Sequence, residues 1–381
     1  MLAIISGLGG WCSCSITCKS PSNEIVDWFI VYKVPTLSGN FNTEGSEYFY
    51  MDSLQTSPNF SDCNRDIQST KTNPVYKTLL PLYSKSKTLQ NYGMYNDQPP
   101  NKDVGQSYGH SKGTYAFGKD SGFWIISSVP RFPAAVPESI MESVSDSYIY
   151  KDSQTVKGQI IFCVTLGPKY METLGTAFAT TNPYIYSQNG GVPLKGELTT
   201  YSMPIKTKGN EELKLLAKSS SFGKDLYLDL IRKELNDSLY VQTWQPSLPS
   251  KDSVTNVQNV CFENGLTYGT SLDHSKWAVA KKEPWTCIGD INRSETQYKR
   301  GGLALCLYNA KVANEFRKLV LEENRCKEKK QRKSKSKTCR NSVSKNIKKI
   351  KKAKTNRRKN DKNKYLYRKQ LPISMGKKIQ K

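Results

Sequence analysis

The chain has 381 residues, 37% of them apolar, with 22 tyrosines, 12 phenylalanines and 6 tryptophans. That is enough to bury a sizeable core and argues against a wholly disordered polymer. The formal charge of +24 is unevenly spread: Lys327 to Lys381 holds 24 Lys and Arg against only Glu328 and Asp361, so the body before it is nearly neutral.

The N-terminus, Met1 to Cys12, is apolar and then rich in small residues up to Ser15. It matches the apolar region and cleavage zone of a secretory signal peptide, although no basic residue precedes it. The stretch is too short to cross a bilayer, and no other run reaches the ~20 apolar residues needed. A secreted or lumenal protein without membrane insertion is therefore expected. If Cys12 and Cys14 leave with residues 1–15, eight cysteines remain, an even and widely spaced set that suits disulfides in an oxidising compartment. With no C-x-x-C pair and only two histidines, a structural zinc site is not expected. Asn59-Phe60-Ser61 and Asn236-Asp237-Ser238 are glycan acceptor patterns.

Further along, Ile25 to Pro35 is β-branched and aromatic and predicts a buried strand ended by proline. Glu47 to Asp52 predicts another strand. Residues 53–72 look loop-like, and Asn73 to Leu89 irregular or partly helical. Gly109-His110-Ser111-Lys112-Gly113 leads into a strand, a Lys119-Asp120-Ser121-Gly122 turn and a returning strand, Phe123 to Val129. This hairpin places His110 and Lys112 on its first arm. Gln159 to Val164 predicts a strand; Tyr170 to Thr180, Glu211 to Leu216 and Asp225 to Leu235 predict helices. Leu239 to Trp244 is a further strand. Asp273-His274-Ser275-Lys276-Trp277 then opens a second hairpin, returning through Trp285 to Arg293, and Ala310 to Glu323 predicts a closing helix.

His110 and His274 are the chain's two histidines, and each begins the tripeptide His-Ser-Lys. Imidazole is suited to proton transfer or nucleophilic attack near neutral pH. In an extended segment, positions i and i+2 share a face, so each lysine would put a cation beside its histidine. Two such pairs brought together would suit a phosphodiester. Two copies of one hairpin plan, 164 residues apart, also suggest two related halves with the site where they meet.

These blocks resemble the deoxyribonuclease II family, acid, metal-independent endonucleases related to the phospholipase D superfamily. The resemblance runs from about Cys18 to Cys326. It rests on Val26-Asp27-Trp28-Phe29, Tyr32 to Pro35, Tyr95 to Pro100, Gly109 to Gly113, Gly122-Phe123-Trp124, Ser128-Val129-Pro130, Phe222 to Tyr227, Asp273 to Trp277, Pro284 to Arg293 and Arg300-Gly301-Gly302. It implies an α/β (mixed α+β) fold of two pseudo-symmetric phospholipase D-like halves, about 16–168 and 169–326, forming a U-shaped clamp on double-stranded DNA. It also implies a phosphohistidine mechanism without cofactor or metal, giving 3′-phosphate and 5′-hydroxyl ends, with His110, Lys112, His274 and Lys276 catalytic. Which histidine is the nucleophile stays open. The superfamily's aspartate seven residues after the histidine is replaced by Phe117 and Lys281, as expected for this branch. Asn292 falls near the superfamily's second-half asparagine, with Asp290 alongside as a supporting residue. Asn292-Arg293-Ser294 also fits the glycan pattern, but its strand context favours a role in the site. The corresponding first-half place holds Arg131, which either binds phosphate or is a surface change. The resemblance further implies the disulfides Cys18–Cys163, Cys287–Cys306 and Cys261–Cys326. Cys63 and Cys339 are left to be free, to pair together or to link chains.

A secreted or lysosomal enzyme is expected. The alternative is an inactive secreted DNA-binding or host-interaction protein on the same fold; a metal-dependent nuclease fits two histidines without an acidic cluster poorly. Residues 327–381 cannot bury enough surface to fold alone and predict a disordered tail that binds DNA or other polyanions through phosphate contacts.

Overall fold

The computed structural model describes residues 15–39, 41–138, 144–196 and 198–320. The architecture is mixed α/β, with two large sheets and few helices. The first sheet contains β1 (Trp28–Lys33), β2 (Glu47–Asp52), β3 (Arg65–Asp66), β4 (Asn91–Asn96), β5 (Lys112–Phe117), β6 (Gly122–Ser127), β7 (Gln159–Leu166) and β8 (Ile185–Asn189), in the order β8-β4-β5-β6-β7-β1-β2-β3. The second contains β9 (Thr200–Lys206), β10 (Glu212–Lys218), β11 (Leu239–Gln242), β12 (Val254–Asn256), β13 (Trp277–Ala280), β14 (Trp285–Gly289) and β15 (Gly302–Tyr308), in the order β9-β10-β15-β14-β13-β11-β12. Every strand of the first sheet precedes every strand of the second, so the backbone passes between them once, through residues 190–199.

The strands form where the sequence is β-branched and aromatic. All six residues of β1 are buried, because β2 and β7 flank it antiparallel and both of its faces are covered. Helix α1 (Pro74–Tyr83) starts where Asn73 accepts from the Val75 and Tyr76 amides, with Pro74 in the first turn where a missing N–H costs nothing. Helix α2 spans Met171–Thr181. A π-helical turn, Leu226–Ile231, capped by Asp225, runs into the short α3 (Arg232–Leu235). The last helix, α4 (Ala310–Leu319), buries Val312, Phe316 and Leu319 at helical spacing. Between the sheets lies an aromatic cluster in which Phe262 stacks on Phe49 at 4.1 Å and meets Tyr32 edge-on at 5.2 Å.

Three expectations need correction. Glu211 to Leu216 is not helical: it is the strand β10, because Leu213, Leu215 and Ala217 alternate and β10 is paired on both sides, by β9 and β15. β3, β4, β8, β9, β12 and β15 were not anticipated, and β3 lies in the stretch 53–72 expected to be loop. His110 lies two residues before β5 instead of on it, and Lys112 is the first residue of that strand.

Cys18–Cys163 and Cys287–Cys306 are bonded as the resemblance implies. Cys63 and Cys261 are also disulfide-bonded, so Cys63 is not free. Cys326 and Cys339 lie outside the described residues, as do residues 1–14 of the expected signal peptide and residues 327–381. Asn59 and Asn236 are exposed. No helix among the described residues is long and apolar enough to cross a membrane.

Candidate active site

The first histidine site begins at the end of β4. The Asn96 side-chain amide donates to the Val129 and Phe132 carbonyls, at 3.2 and 3.1 Å, while its Oδ1 accepts from Gln98 N–H at 2.8 Å. This turn leaves Asp97 beside Lys112, since Asn96 and Lys112 are register partners across β4 and β5. Lys112 Nζ pairs with Asp97 Oδ1, and His110 Nδ1 lies 3.0 Å from Asp97 Oδ2. Arg300 arrives from the second half of the sequence: its Nη2 is 3.0 Å from Asp97 Oδ2 and its Nη1 is 2.8 Å from His110 Nδ1. Its Nε and Nη2 also donate to the Tyr108 carbonyl.

His274 is held differently. Its ring centroid is 4.8 Å from that of Trp244, and its Nε2 is buried without a protein partner. Asp273 turns its carboxylate away, to the Tyr32 hydroxyl at 2.6 Å and the Ser275 N–H at 2.9 Å. Lys276 Nζ donates to the His274 carbonyl at 3.0 Å.

Each histidine is also gripped by the opposite sheet. His110 N–H donates to the Gly301 carbonyl and His274 N–H to the Gly158 carbonyl, both at 2.9 Å. Glycine is required at both positions: a Cβ would fall 2.1 Å from the Thr181 carbonyl oxygen at Gly301 and 2.7 Å from Asp273 Oδ1 at Gly158. Two buried lysines fix the gripping loops. Lys218 Nζ donates to the carbonyls of Gln297, Tyr298 and Arg300. Lys33 Nζ donates to those of Val34, Gly45 and Thr155.

His110, Lys112, His274, Lys276 and Asn292 line one cavity of about 400 Å³, with Asp97, Trp244 and Arg300. The expectation that i and i+2 face one site is met twice. Asn292 Oδ1 is buried and unpartnered within it. The next residue, Arg293, is buried and bonded to Asp225, which fits a site position for Asn292 better than an exposed glycan loop. Asp290 sits behind the cavity, accepting from Leu303 N–H, and burial pushes its carboxyl up to about 7. Arg131 does not line the cavity; it is at the surface, paired at 2.5 Å with Asp103, which does. Among the described residues no group of three or more His, Cys, Asp or Glu is gathered to hold a metal ion.

Burial and then neighbouring charge set the site's titration. Burial and then Lys112 lower the His110 imidazole to about 3, with Asp97 opposing them. Burial and then Lys276 do the same to His274. Lys276 is itself lowered to about 7 by burial and Lys112. Burial alone would raise the Asp97 carboxyl, but Lys112 and His110 outweigh it and hold it well below the usual range. Burial and the lysines make the site disfavour further positive charge; an entering phosphate would oppose that balance.

The family model for deoxyribonuclease II matches residues 17–326. The chain belongs to the deoxyribonuclease II family. It is 34% identical to deoxyribonuclease-2-alpha of Rattus norvegicus, over 80% of this chain and 93% of the relative. It is 33% identical to deoxyribonuclease-2-alpha of Sus scrofa, over 80% and 89%. It is also 33% identical to plancitoxin-1 of Acanthaster planci, over 82% and 93%. In this deoxyribonuclease II family member, sequence reasoning missed Asp97, Arg300 and Trp244 as site residues. The first two stand inside blocks that carry the resemblance, but nothing local marks them as partners of His110.

Proposed function

We propose that the chain is an acid endonuclease that hydrolyses phosphodiester bonds of double-stranded DNA without a metal. The observation that carries this reading is the convergence of two imidazoles and two lysine ammonium groups on a single cavity. One imidazole attacks phosphorus to give a phosphohistidine; the other protonates the leaving 5′ oxygen and then activates water, releasing a 3′-phosphate. Lys112 and Lys276, both almost fully buried, neutralise the non-bridging oxygens, a role that low local dielectric strengthens. Acid conditions help because a proton must reach an imidazole that burial and lysines hold low. The phosphate's charge and a low pH act together to supply it.

The reading extends to a pseudo-symmetric clamp around the duplex. It is supported by the matching strand orders β4-β5-β6-β7-β1 and β11-β13-β14-β15-β10, in each of which a His-Ser-Lys motif leads into the second strand. A secreted or lysosomal location with residues 1–15 as signal peptide, and DNA tethering by residues 327–381, complete the proposal.

The test is plasmid cleavage at about pH 5 in excess chelator, with end-group analysis. His110→Ala and His274→Ala should each lower the rate by roughly 10²-fold or more. Absence of nicking by the unaltered chain would favour a DNA-binding protein on this fold; full nicking by either variant would remove its histidine from the mechanism.

A further inference from the structure

The two imidazoles differ in what surrounds them. His110 Nδ1 lies within hydrogen-bond distance of Asp97 Oδ2 and of Arg300 Nη1. A carboxylate only accepts and a guanidinium only donates, so these neighbours favour opposite tautomers. Arg300 has other partners: Nε and Nη2 reach the Tyr108 carbonyl and Nη2 reaches Asp97. Nη1 is left to face His110, but Asp97 aims a negative charge at Nδ1, and a ring that gains positive charge as it attacks phosphorus is stabilised by a carboxylate and opposed by a guanidinium. His274 has the reverse setting. Its sequence neighbour Asp273 is committed to Tyr32 and Ser275, and its Nε2 has no protein partner.

Given phosphodiester cleavage in this cavity, the structure assigns Asp97 as the positioning residue that keeps a proton on His110 Nδ1, which makes His110 Nε2 the nucleophile and His274 the proton donor. The His110 Nε2 lone pair forms the N–P bond as the P–O5′ bond breaks. The departing electron pair stays on O5′, which takes a proton from protonated His274. The phosphorylated ring keeps its Nδ1–H, and its positive charge is balanced by Asp97. Water then attacks phosphorus and gives a proton to neutral His274, and the N–P pair returns to His110 Nε2. Arg300 cannot serve as the partner in the intermediate, because a guanidinium has no lone pair to accept that Nδ1–H.

Because the chain has two histidines, ¹⁵N-histidine labelling of the full chain reports these two rings alone. Neutral His110 should carry its proton on Nδ1, with His274→Gln supplying the assignment. A neutral His110 protonated on Nε2 would overturn the proposal without any change to the fold. The chemical arm uses an oligonucleotide nitrophenyl phosphodiester, whose leaving group needs no proton. His274→Gln, expected to lose DNA cleavage, should still release nitrophenolate and leave a phosphoryl adduct on His110. Asp97→Asn should slow that release by about tenfold or more, because a better leaving group cannot replace a positioned nucleophile. An adduct on His274, or unchanged release by Asp97→Asn, would overturn the assignment while leaving the nuclease reading intact. Failure of the unaltered chain to cleave any diester would overturn both.

Discussion

Trp244 covers one side of the His274 ring, and burial is the main reason that imidazole is held at about 3. Trp244→Ala should therefore admit water and move the His274 titration upward, toward the ordinary value for histidine of about 6.5. His110, whose ring is held by Asp97 and Arg300, should titrate as before. A histidine NMR titration checks this; an unmoved His274 would mean that the lysines alone set its value. The two His-Ser-Lys pairs of the candidate site were legible in the sequence because the only two histidines share one tripeptide, and a spacing of two needs no knowledge of the fold. Asp97 was not legible. It lies 13 residues before His110 and meets it only because β4 and β5 pair in register. Arg300, 190 residues away, reaches the same ring from a loop before β15.

Among the elements, the loops that hold the histidines depend on buried ammonium groups. Lys218→Met would leave the Gln297, Tyr298 and Arg300 carbonyls short of a donor. An unsatisfied buried acceptor costs about 1–3 kcal/mol, so a loss of roughly 2–4 kcal/mol in urea denaturation is expected after partial rehydration. The turnover number should fall as well, since the freed loop carries Arg300. Full turnover in a destabilised variant would separate the loop from the chemistry. Cys287 and Cys306 face each other across β14 and β15, and the bridge closes a span of 19 residues. Replacing both by alanine should cost about 3 kcal/mol by loop-closure entropy. The hairpins around both motifs were readable from aromatic strands and tight turns. Glu211 to Leu216 was misread because a short leucine-rich run looks the same in either period until its pairing partners are known. The partner that decides it, β15, lies some 90 residues further on.

For the whole molecule, the site makes stability depend on pH. Both histidines titrate near 3 when folded and near ~6.5 when unfolded. The unfolded chain thus binds more protons between those values. Their contribution is present above about 6.5 and is lost as pH falls toward 3. Asp290, raised from the ordinary carboxylate value of 3.8 to about 7, acts oppositely: its contribution is present below its unfolded value and lost as pH rises through 7. Replacing both histidines by asparagine should flatten the fall in Tm from about pH 6.5 to 4, and a bound non-cleavable oligonucleotide should oppose that fall in the parent chain. An equally steep fall in the double variant would place the acid sensitivity elsewhere. Deleting residues 327–381 should flatten the salt dependence of DNA binding while leaving cleavage at saturating DNA intact; an unchanged slope would remove the tether role. At this scale the sequence carried the composition split between body and tail and the repeated hairpin. It could not carry the aromatic packing between the sheets, which joins Phe49 and Tyr32 to Phe262, residues more than 200 positions apart.

The single backbone passage between the sheets has a kinetic consequence. A protease cut within residues 190–199 would leave one fragment with His110 and Lys112 and another with His274 and Lys276. Each fragment would still need the other's glycine carbonyl to hold its imidazole in place. Such a nick would not itself inactivate the molecule. With the disulfides reduced, so that the Cys63 bond no longer holds the first piece, loss of activity would follow the parting of the pieces, and recovery would be second order, rising with the product of the two fragment concentrations.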